Sequence, residues 1–594
     1  MIPLKHNFNY LILDDHGGVD PGQRETGLYF LDTRVLSLYH WSLKDFNCLK
    51  RQAEDGRTLV EYWSRSVDHR QLLGIKRTLT MTATGMIDQL EISNTDQQDQ
   101  GFDVALSLDS DFADMFEIRG QFADLDHRNQ SSSRGTHDYK AHYEATDQVH
   151  FDVEVVIKGA QFHEALTIEP QQTRKLTVEV TTSSSLPQGT EALNVAQGWL
   201  GEPPTEPAAH LAFMQASRDL QCLLLATPEG LNIAAGMPWF VTPFGRDSLI
   251  TAWFLLKRFP DLAKGVLRFL GTHQGAKLDE YRDEQPGKIL HEQRYGELSR
   301  TGRLPFHTYY GAADSTPLYL LVLHDTVKQT GNTELITELQ PYWQACLNWI
   351  EQFRDERGLI VFRGNERALT VQSWKDSKDS LSYADGRLGE GSLAVAEVQG
   401  YAFAAYQAAS DFFQHLGDAA KAQEYRAAAG AIQSQLHSLF WMPADDNFAI
   451  AIDADSAQLA TNSSDAGHLL WTGVVLAEHA QKLIPRMFQQ DLWSGWGLRT
   501  LSTREVRYNP LSYHNGSVWP HDTALFAAGL RRYGDEEGFE RVSRALTDLA
   551  MSQDDKRLPE LVGGYDRPSY PPLPYLDACR PQAWSAAAMI YLHS

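Results

Sequence analysis

The sequence is poor in cysteine and in positive charge, and each shortage excludes a class of protein. Four cysteines are scattered over 594 residues without a CxxC pair, so neither a disulfide framework nor a thiolate metal site is predicted. Lys and Arg number 53 against 77 Asp and Glu, which gives a formal charge of -24. That balance argues against nucleic acid or an anionic membrane surface as a partner, because both require a basic patch.

Long apolar runs are also missing. No uncharged stretch is long enough to span a bilayer. The first residues, MIPLKHNFNYLILDD, lack the basic segment, apolar run and cleavage site of a secretory signal. The sequence therefore predicts a cytoplasmic protein without a membrane partner, and nothing in it specifies an oligomeric state.

The length exceeds what one hydrophobic core usually serves, so at least two domains are expected. Up to about residue 195 the pattern is period-two alternation, which predicts an antiparallel β-sandwich over residues 1–195. A stretch rich in Pro, Gly and Thr, Leu186–Pro207, predicts the linker. The predicted strands are Leu28–Leu43, Thr78–Glu91, Phe102–Ser110, His150–Val156 and Thr173–Thr182.

Residues 196–594 instead show apolar residues at i, i+3 and i+4, which is typical of amphipathic helices. Because no comparable strands lie between them, the pattern favours a closed helical toroid over a parallel sheet. The predicted helices are Ala208–Leu225, Arg246–Phe259, Asp261–Gln274, Asp314–Gly331, Leu335–Phe353, Leu393–Leu416, Asp418–Trp441, Gly467–Leu483, His521–Arg532, Glu537–Met551 and Pro581–Leu592.

The stretch Leu369–Phe403 combines Trp374 and Asp376 with further carboxylates and a Gly-rich turn. Aromatic rings beside carboxylates are typical of a sugar pocket, where rings cover the apolar face of a pyranose and carboxylates move protons. A structural interpretation of Asp376 is also open, since Ser373 precedes it by three residues as in a helix-capping box.

Further motifs stand in the loops between the predicted helices. In GMPWFVTPFGRDS, Asp247 lies where a helix dipole alone would favour a carboxylate, but the aromatic residues before it favour sugar binding. In LSYHNGSVWPHD, His514 and His521 could form a metal pair, yet no carboxylate or thiolate ligand stands nearby at suitable spacing. In KRLPELVGG, Glu560 lies between a proline and two glycines, a backbone suited to holding a carboxylate at a pocket wall.

With these motifs the chain resembles the amylo-α-1,6-glucosidases, bacterial proteins related to the glucosidase half of glycogen debranching enzyme. The matching segments occur in order along nearly the whole chain. They are GLYFLDTRVLS (Gly27–Ser37), DFADMFEIRG (Asp111–Gly120), PWFVTPFGRDS (Pro238–Ser248), SWKDSKDS (Ser373–Ser380), AEVQGYAFAA (Ala396–Ala405), YHNGSVWPHD (Tyr513–Asp522) and PELVGGY (Pro559–Tyr565).

The resemblance implies an N-terminal β-sandwich followed by an (α/α)6 barrel of the six-hairpin glycosidase type. It also implies roles for three carboxylates: Asp376 of the motif Trp374-Lys375-Asp376 as the general acid, Glu560 as the general base, and Asp247 as a ligand of the sugar hydroxyls. The chain has no room for the transferase domain of two-activity debranching enzymes, so transferase activity is not implied.

Other side chains of these motifs and loops are expected to bind the substrate by stacking or by hydrogen bonds. They are Trp239, Phe244, Arg246, His307, Tyr309, Trp374, Lys375, Asp379, Glu397, His514, Trp519, His521 and Gln582. We also expect the sandwich to pack against the barrel, because residues such as Tyr29 and Trp41 need a buried face. The loops Leu278–Tyr310 and Tyr383–Gly391 are expected to close over the mouth of the barrel.

The motifs and the resemblance together predict an inverting, exo-acting α-glucosidase, similar to the amylo-α-1,6-glucosidases, that hydrolyses small oligosaccharides or glucosides to glucose without a metal or a cofactor; inversion is implied mainly by the resemblance. One alternative is a phosphorylase on the same barrel, because Lys556 and Arg557 stand near Glu560 and could bind phosphate. Others are a hydrolase of a small compatible-solute glucoside and a non-catalytic sugar-binding protein. Retention of both carboxylates favours hydrolysis over phosphorolysis and over a non-catalytic role, and leaves the choice of glucoside open.

Overall fold

The computed structural model describes residues 1–120, 128–186, 195 and 198–594. Its first part consists of β-strands. They are β1 (Ile2–His6), β2 (Asn9–Leu13), β3 (Gly27–Phe30), β4 (Thr33–Leu36), β5 (Leu38–Leu43), β6 (Asn47–Ala53), β7 (Thr58–Val67), β8 (Arg70–Thr82), β9 (Gly85–Asn94), β10 (Gln100–Asp109), β11 (Asn129–Arg134), β12 (Asp138–Glu144), β13 (His150–Lys158), β14 (His163–Ile168) and β15 (Thr173–Ser184).

These strands form antiparallel sheets, in the orders β1-β2-β3-β4, β14-β10-β5 and β11-β12-β13-β15-β9-β8-β7-β6. Burial alternates along the central strands, so that Leu176, Val178 and Val180 of β15 point into the core while their neighbours face outward. The predicted antiparallel β-domain is therefore confirmed.

Two strand predictions were too long. The segment Leu28–Leu43 is three strands, because Leu31 and Asp32 adopt left-handed backbone conformations (φ 52° and 63°) that reverse the chain. The segment Thr78–Glu91 is divided between β8 and β9 by the turn before Gly85. The hairpin of β1 and β2 was not predicted, since its residues are buried along both faces and show no alternation.

The rest of the chain is mainly helical, apart from α1 in the β-domain. The helices are α1 (Met115–Ile118), α2 (Pro207–Leu223), α3 (Gly245–Leu255), α4 (Pro260–Thr272), α5 (Glu297–Arg300), α6 (Ser315–Thr330), α7 (Glu334–Glu338), α8 (Gln340–Phe353), α9 (Ala396–His415), α10 (Ala419–Phe440), α11 (Asp465–Thr472), α12 (Ala477–Met487), α13 (Pro520–Arg532), α14 (Glu536–Ser552) and α15 (Ala583–Leu592), with a 3-10 turn at Pro305–His307.

Within the described residues, α3, α6, α9, α11, α13 and α15 each contact the next and α15 contacts α3, which closes an inner ring. Helices α2, α4, α8, α10, α12 and α14 pack outside it. Inner helices such as α9 and α15 are buried on nearly all sides, whereas α4 and α14 bury one face. The chain therefore folds as the predicted (α/α)6 barrel.

Helix boundaries differ from the predictions where the chain turns although the helical spacing of apolar residues continues in the sequence. The predicted helix Gly467–Leu483 is two helices, α11 and α12, because α11 ends at Gly473 with a left-handed φ of 79°. The predicted helix Leu335–Phe353 is likewise divided into α7 and α8.

Short strands lie between the helices, where none were predicted. They are β16 (Leu224–Thr227), β17 (Gly230–Ile233), β18 (Glu292–Gln293), β19 (Thr308–Tyr309), β20 (Phe362–Arg363), β21 (Ser392–Val395), β22 (Trp441–Met442), β23 (Asn447–Phe448), β24 (Ala451–Ile452) and β25 (Gln458–Leu459). Strand β21 takes the residues at which the predicted helix Leu393–Leu416 was expected to start. These pairs of two to four residues are too short to show a period.

The β-domain and the barrel are joined by buried polar contacts. The Lys5 ammonium group donates to the carbonyl oxygens of Cys222 (3.1 Å) and Leu224 (2.8 Å) at the end of α2. Asp32, at the turn between β3 and β4, accepts a hydrogen bond from the backbone N–H of Tyr295 (2.9 Å). The predicted packing of the sandwich against the barrel is confirmed.

The predicted domain boundary at residues 195 and 196 falls where most residues lie outside the described ones. Strand β15 ends at Ser184 and α2 begins at Pro207. No helix in the described ranges combines the length and the apolar character needed to cross a bilayer.

Candidate active site

The inner helices of the barrel begin at one end, and a cavity of about 670 Å³ opens there. Its floor is formed by Arg246, Asp247, Trp374 and Glu560, which are buried. Its rim includes residues of the β-domain, among them Arg24 and Arg119. The cavity therefore lies where the two domains meet.

The motif containing Arg246 and Asp247 reaches the floor because α3 starts there. Gly245 opens the helix against the neighbouring loop, where a Cβ atom would lie 2.0 Å from the carbonyl oxygen of Leu290. This close approach accounts for the glycine of the Gly-Arg-Asp motif. Burial raises the pKa of Asp247 to about 7, although the neighbouring Arg246 guanidinium opposes the shift.

Asp376 lies on the loop between β20 and β21. Its Oδ2 atom accepts a hydrogen bond from Arg246 (2.9 Å), which also donates to Asp314 (2.8 Å) and to the carbonyl oxygen of Ser373 (3.0 Å). Burial raises the pKa of Asp376, and the ion pair with Arg246 opposes that rise. Residues 373–380 form bends and turns without a helix, so the capping interpretation of Asp376 is wrong.

Trp374 is held in place by its own hydrogen bond. Its indole N–H donates to Asp465 (2.8 Å), and its ring stacks on His468 with centroids 5.6 Å apart. Lys375 points away from the cavity, where it pairs with Asp465 and donates to the carbonyl oxygen of Thr500 (2.7 Å). The two residues before Asp376 therefore anchor its loop to α11.

Glu560 is fixed by two donors. Its Oε1 atom accepts from the Tyr513 hydroxyl (2.7 Å), and its Oε2 atom accepts from the backbone N–H of Cys579 (2.8 Å). Burial raises the pKa of Glu560 to about 7, and these two hydrogen bonds oppose the rise. Gly564 lets the segment pass close to its neighbour, since a Cβ atom there would lie 1.7 Å from the carbonyl oxygen of Gly516.

Two carboxyl groups from loops far apart in sequence therefore line one cavity beside aromatic rings. Residues 260–565, more than half of the chain, match the mannosylglycerate hydrolase MGH1-like glycoside hydrolase domain. The chain belongs to this glycoside hydrolase family. Residues 4–179 match the N-terminal domain of some glycogen debranching enzymes, which confirms the resemblance stated above at the level of the family.

The family assignment identifies the protein as a glycoside hydrolase. No curated protein matches the chain. Among solved structures, the chain is similar to the GH63 mannosylglycerate hydrolase from Thermus thermophilus in complex with Tris, at 14% identity and a TM-score of 0.48. An uncharacterized conserved protein from the same organism matches at 15% identity and a TM-score of 0.48. Each match covers 64% of this chain and 99% of the other.

Most residues predicted for the site of this glycoside hydrolase line the cavity. They are Trp239, Phe244, Arg246, Asp247, Trp374, Asp376, His514, Trp519, Glu560 and Gln582. Of the two loops expected to close over the mouth, the first contributes His291, Glu292, Arg294 and Phe306, whereas Tyr383–Gly391 contributes no lining residue. The expectation for the second loop is therefore wrong, because its turn packs toward β25 and residues 506–507 instead.

Six predicted residues do not line the cavity: His307, Tyr309, Lys375, Asp379, Glu397 and His521. Tyr309 donates to Asp283 (2.8 Å), His307 contacts the carbonyl oxygen of Arg294 (3.0 Å), and Asp379 accepts from Asn515 (3.1 Å). Glu397, in the first turn of α9, is fully buried, and burial raises its pKa well above the usual range. His521 stacks on Trp584 with centroids 3.6 Å apart, one layer behind the lining residues.

Sequence reasoning missed other residues that line the cavity, notably Arg119, Arg294, Tyr513 and Trp584. Arg119 and Tyr513 stand in segments that carried the family resemblance, so their segments were found but their side chains were not assigned. Trp584 stands two positions after the predicted residue Gln582, at the start of α15. In each case only the tertiary fold brings the side chain to the cavity.

Among the described residues, no group of three His, Cys, Asp or Glu side chains is placed to hold a metal ion. His514 hydrogen-bonds Ser377 (2.7 Å) and stacks on Trp519. Burial lowers the pKa of both His514 and His521 well below the usual range. Both imidazoles are therefore neutral, His514 in the wall of the cavity and His521 one layer behind it.

Proposed function

We propose that the glycoside hydrolase cleaves short α-glucosides from the non-reducing end with inversion. The observation that supports this most is the position of Asp376 and Glu560 on one cavity, each held by different partners. An inverting enzyme needs two carboxyl groups on opposite sides of the sugar, about 6.5–9.5 Å apart, with a water between base and anomeric carbon.

We assign Asp376 as the acid that protonates the glycosidic oxygen. Its side chain is partly exposed, whereas Glu560 is buried, so Asp376 is the more accessible of the two to a leaving group at the mouth of the cavity. Burial already raises the pKa of Asp376, and a sugar that fills the cavity removes more water from the carboxyl group. Arg246 then stabilises the carboxylate formed after proton transfer.

Glu560 is assigned as the base that takes a proton from the attacking water. The Tyr513 hydroxyl and the Cys579 N–H each occupy one acceptor position of its carboxylate, and the remaining lone pairs can receive the water proton. Asp247 lies on the same floor, where it can accept hydrogen bonds from glucose hydroxyls.

The cavity volume is that of an ordinary small-ligand pocket, which agrees with a small glycoside as the substrate. Ligand cavities usually enclose about 300–1,000 Å³, and this cavity is within that range. A closed floor admits one terminal sugar, so single glucose units are the expected product. The family description names a mannosylglycerate hydrolase, so small glycosides with a non-sugar aglycone belong in the same substrate test.

Phosphorolysis has less support. Lys556 donates to the carbonyl oxygen of Met551 (2.9 Å), and Arg557 pairs with Asp219 (2.8 Å) and Asp555 (3.1 Å). Neither residue lines the cavity. The two cations that suggested a phosphate site are therefore engaged elsewhere.

The proposed function is tested by incubating the enzyme with isomaltose, panose, branched limit dextrin, trehalose, sucrose, glucosyl-polyols and mannosylglycerate, with and without phosphate. Glucose released from short α-glucosides without phosphate is expected. Glucose 1-phosphate formed only when phosphate is present would show that the reaction is phosphorolysis and not hydrolysis. Release of maltose or longer oligomers would contradict a closed floor that admits one terminal sugar.

The stereochemistry of the first turnover gives a separate prediction. If Glu560 activates water on the face opposite Asp376, an α-glucoside must release β-glucose first. Proton NMR during the first minutes distinguishes the anomers before mutarotation. Appearance of α-glucose before β-glucose would exclude inversion.

A further prediction concerns Tyr513→Phe. The acidic limb of kcat/KM reports the pKa of the base in the free enzyme, so activity is expected to fall as the pH decreases through about 7, the pKa of Glu560. The Tyr513 hydroxyl lowers that pKa. Its removal should therefore move the midpoint of the acidic limb to higher pH.

The control is Tyr575→Phe. The Tyr575 ring packs against Tyr513 (5.5 Å between centroids), and its hydroxyl makes no hydrogen bond to Glu560. The control should leave the midpoint unchanged. An unchanged midpoint in Tyr513→Phe would show that Glu560 is not the group that titrates.

A further inference from the structure

Another cavity, of about 710 Å³, lies at the end of the barrel opposite the candidate active site. The ends of the inner helices α6, α11 and α13 line it together with α9 and the outer helix α10. Phe403 and Trp471 are buried and form its floor. Its volume is within the range of about 300–1,000 Å³ that is usual for small-ligand cavities. The proposed hydrolysis uses none of its residues.

Three cationic side chains converge on this cavity from three helices. They are Lys328 of α6, Arg426 of α10 and Arg532 of α13. All three are exposed, and none forms a hydrogen bond or an ion pair with another residue of the described ranges. The whole chain has a formal charge of -24, so three unpaired cations around one cavity are a local exception that attracts anions.

The two carboxylates of the cavity are engaged by other groups. Asp325 accepts hydrogen bonds from the Trp253 indole N–H (2.7 Å) and from His324 (3.2 Å). The other ring nitrogen of His324 lies 2.9 Å from Asp411. Burial alone would lower the pKa of His324, but its hydrogen bonds to the two carboxylates raise it above the usual value. These hydrogen bonds favour the protonated ring, which offsets part of the acidic charge.

The helix dipole accounts for two of the three cations. Lys328 and Arg532 stand in the last turns of α6 and α13, where the dipole favours a cation. Arg426 stands in the third turn of α10, and the effect of the dipole is confined to the first and last turns. No acidic residue stands three or four positions before or after Arg426, so nothing within α10 explains its charge.

A glycine of α10 leaves open space beside Arg426. Gly430 lines the cavity, and a Cβ atom at this position would meet no atom within 4 Å. Glycine is unfavourable in the interior of a helix, and here no close neighbour requires it. The space beside the helix backbone therefore suits a ligand that packs against α10.

We propose that this cavity binds the phosphate monoester of a small sugar or polyol, with the phosphate group held by Lys328, Arg426 and Arg532. A phosphate monoester carries a charge of about −1.5 to −2 at neutral pH, which matches several cations better than a carboxylate with one charge does. Arginine binds phosphate oxygens through paired N–H groups, and lysine binds them as a point charge. The hydroxyl groups would lie beside Gly430 and the exposed Gln407 amide.

Isothermal titration calorimetry of the full chain with fructose 6-phosphate tests the proposal. The wild type is expected to bind one molecule per chain, about tenfold more tightly than inorganic phosphate, because the sugar adds one or two hydrogen bonds. Fructose without the phosphate should give no heat of binding at the same concentrations. Arg426→Gln should weaken binding by about 10- to 100-fold, as expected for the loss of one charge-assisted pair.

Two further variants separate loss of the site from loss of the fold. Gly430→Gln should raise the melting temperature of the free protein, because glutamine is more favourable than glycine in a helix. It should also weaken binding, because its side chain fills the space beside Arg426. Arg544→Gln is the matched control, since Arg544 is an exposed arginine of the outer helix α14 that does not line the cavity. This control should bind fructose 6-phosphate as the wild type does.

The proposal is overturned if the wild type does not bind fructose 6-phosphate, or if Arg426→Gln or Gly430→Gln binds it as tightly as the wild type. Equal affinities for fructose 6-phosphate and inorganic phosphate would show an anion site that does not recognise an ester. Loss of binding in Asp247→Asn, with binding retained in Arg426→Gln, would place the ligand in the active-site cavity instead. Binding is measured without a glycoside, so these outcomes do not depend on the proposed function.

Discussion

Replacement of Asp376 by Asn, or of Glu560 by Gln, is expected to lower kcat on a natural α-glucoside by about 10²–10⁴-fold, with the fold intact. Both substitutions keep the size of the side chain and an acceptor for Arg246 or for the Cys579 N–H, so circular dichroism should show an intact fold. Asp376→Asn also removes the charge that pairs with Arg246 and should lower the melting temperature. Steady-state hydrolysis of isomaltose, whose leaving group needs a proton, measures the effect.

The two roles can be separated by the leaving group. An acid variant should recover much of its rate on a substrate that needs no protonation, such as α-glucosyl fluoride, whereas a base variant should not. Azide should rescue Glu560→Gln and yield a β-glucosyl azide, because the small anion can replace the activated water. The reverse pattern would exchange the roles of Asp376 and Glu560.

Asp379→Asn is the matched control for the acid. Asp379 stands three residues after Asp376, but its side chain is 40% exposed and faces Asn515 and Arg507. Its loss should change kcat less than about threefold. A wild-type rate in Asp376→Asn together with a large loss in Asp379→Asn would move the acid role to Asp379.

Removal of the β-domain is the second change with a large expected effect. A chain that begins at Pro207 leaves the loop of α5 without its partners: Glu297 loses Tyr143 and Thr146, and the Leu298 N–H loses Asp114. Buried groups without hydrogen bonds are costly. We expect this shortened chain to be insoluble or inactive, as measured by soluble yield and by hydrolysis of 4-nitrophenyl α-glucoside.

A point variant tests the same interface in the full chain. Asp32→Asn keeps the acceptor for the Tyr295 N–H but removes the charge facing Arg294, and Asn tolerates the left-handed backbone of this position. The free energy of unfolding should fall by about 1.5–3 kcal/mol. Asp385→Asn, whose partner Arg387 is exposed, should leave the melting temperature nearly unchanged.

A soluble, fully active shortened chain would show that the interface is dispensable.

The architecture was predictable where one period dominates a long segment. The inner helix α9 and the strand β15 have unbroken patterns, and both were found close to their observed bounds. The turn between α11 and α12 was missed because apolar residues, among them Val474 and Val475, continue through it. The helical spacing of apolar residues in the sequence therefore shows no break where the chain turns.

Residues of the cavity were predictable when a short motif placed a carboxylate beside aromatic residues, as for Asp376 and Asp247. Tyr513 and Glu560 are far apart in the sequence, and their hydrogen bond depends on how two loops of the barrel meet. Arg119 depends on how a whole domain is docked. Glu397 and His521 show that membership of a motif is not sufficient. Both stand in segments that carried the family resemblance, but their side chains lie behind the cavity wall.

The cavity crosses the junction of the two domains, so its occupancy and the docking of the domains are thermodynamically linked. A ligand that needs both walls binds only the docked state and favours that state by RT ln(1 + [L]/Kd), about 2.7 kcal/mol at a concentration of 100 Kd. By the same linkage, a change that lowers the docked fraction of the protein lowers the apparent affinity in proportion to that fraction. The affinity for substrate is therefore a property of the assembled pair of domains, even though both proposed catalytic carboxylates belong to the barrel.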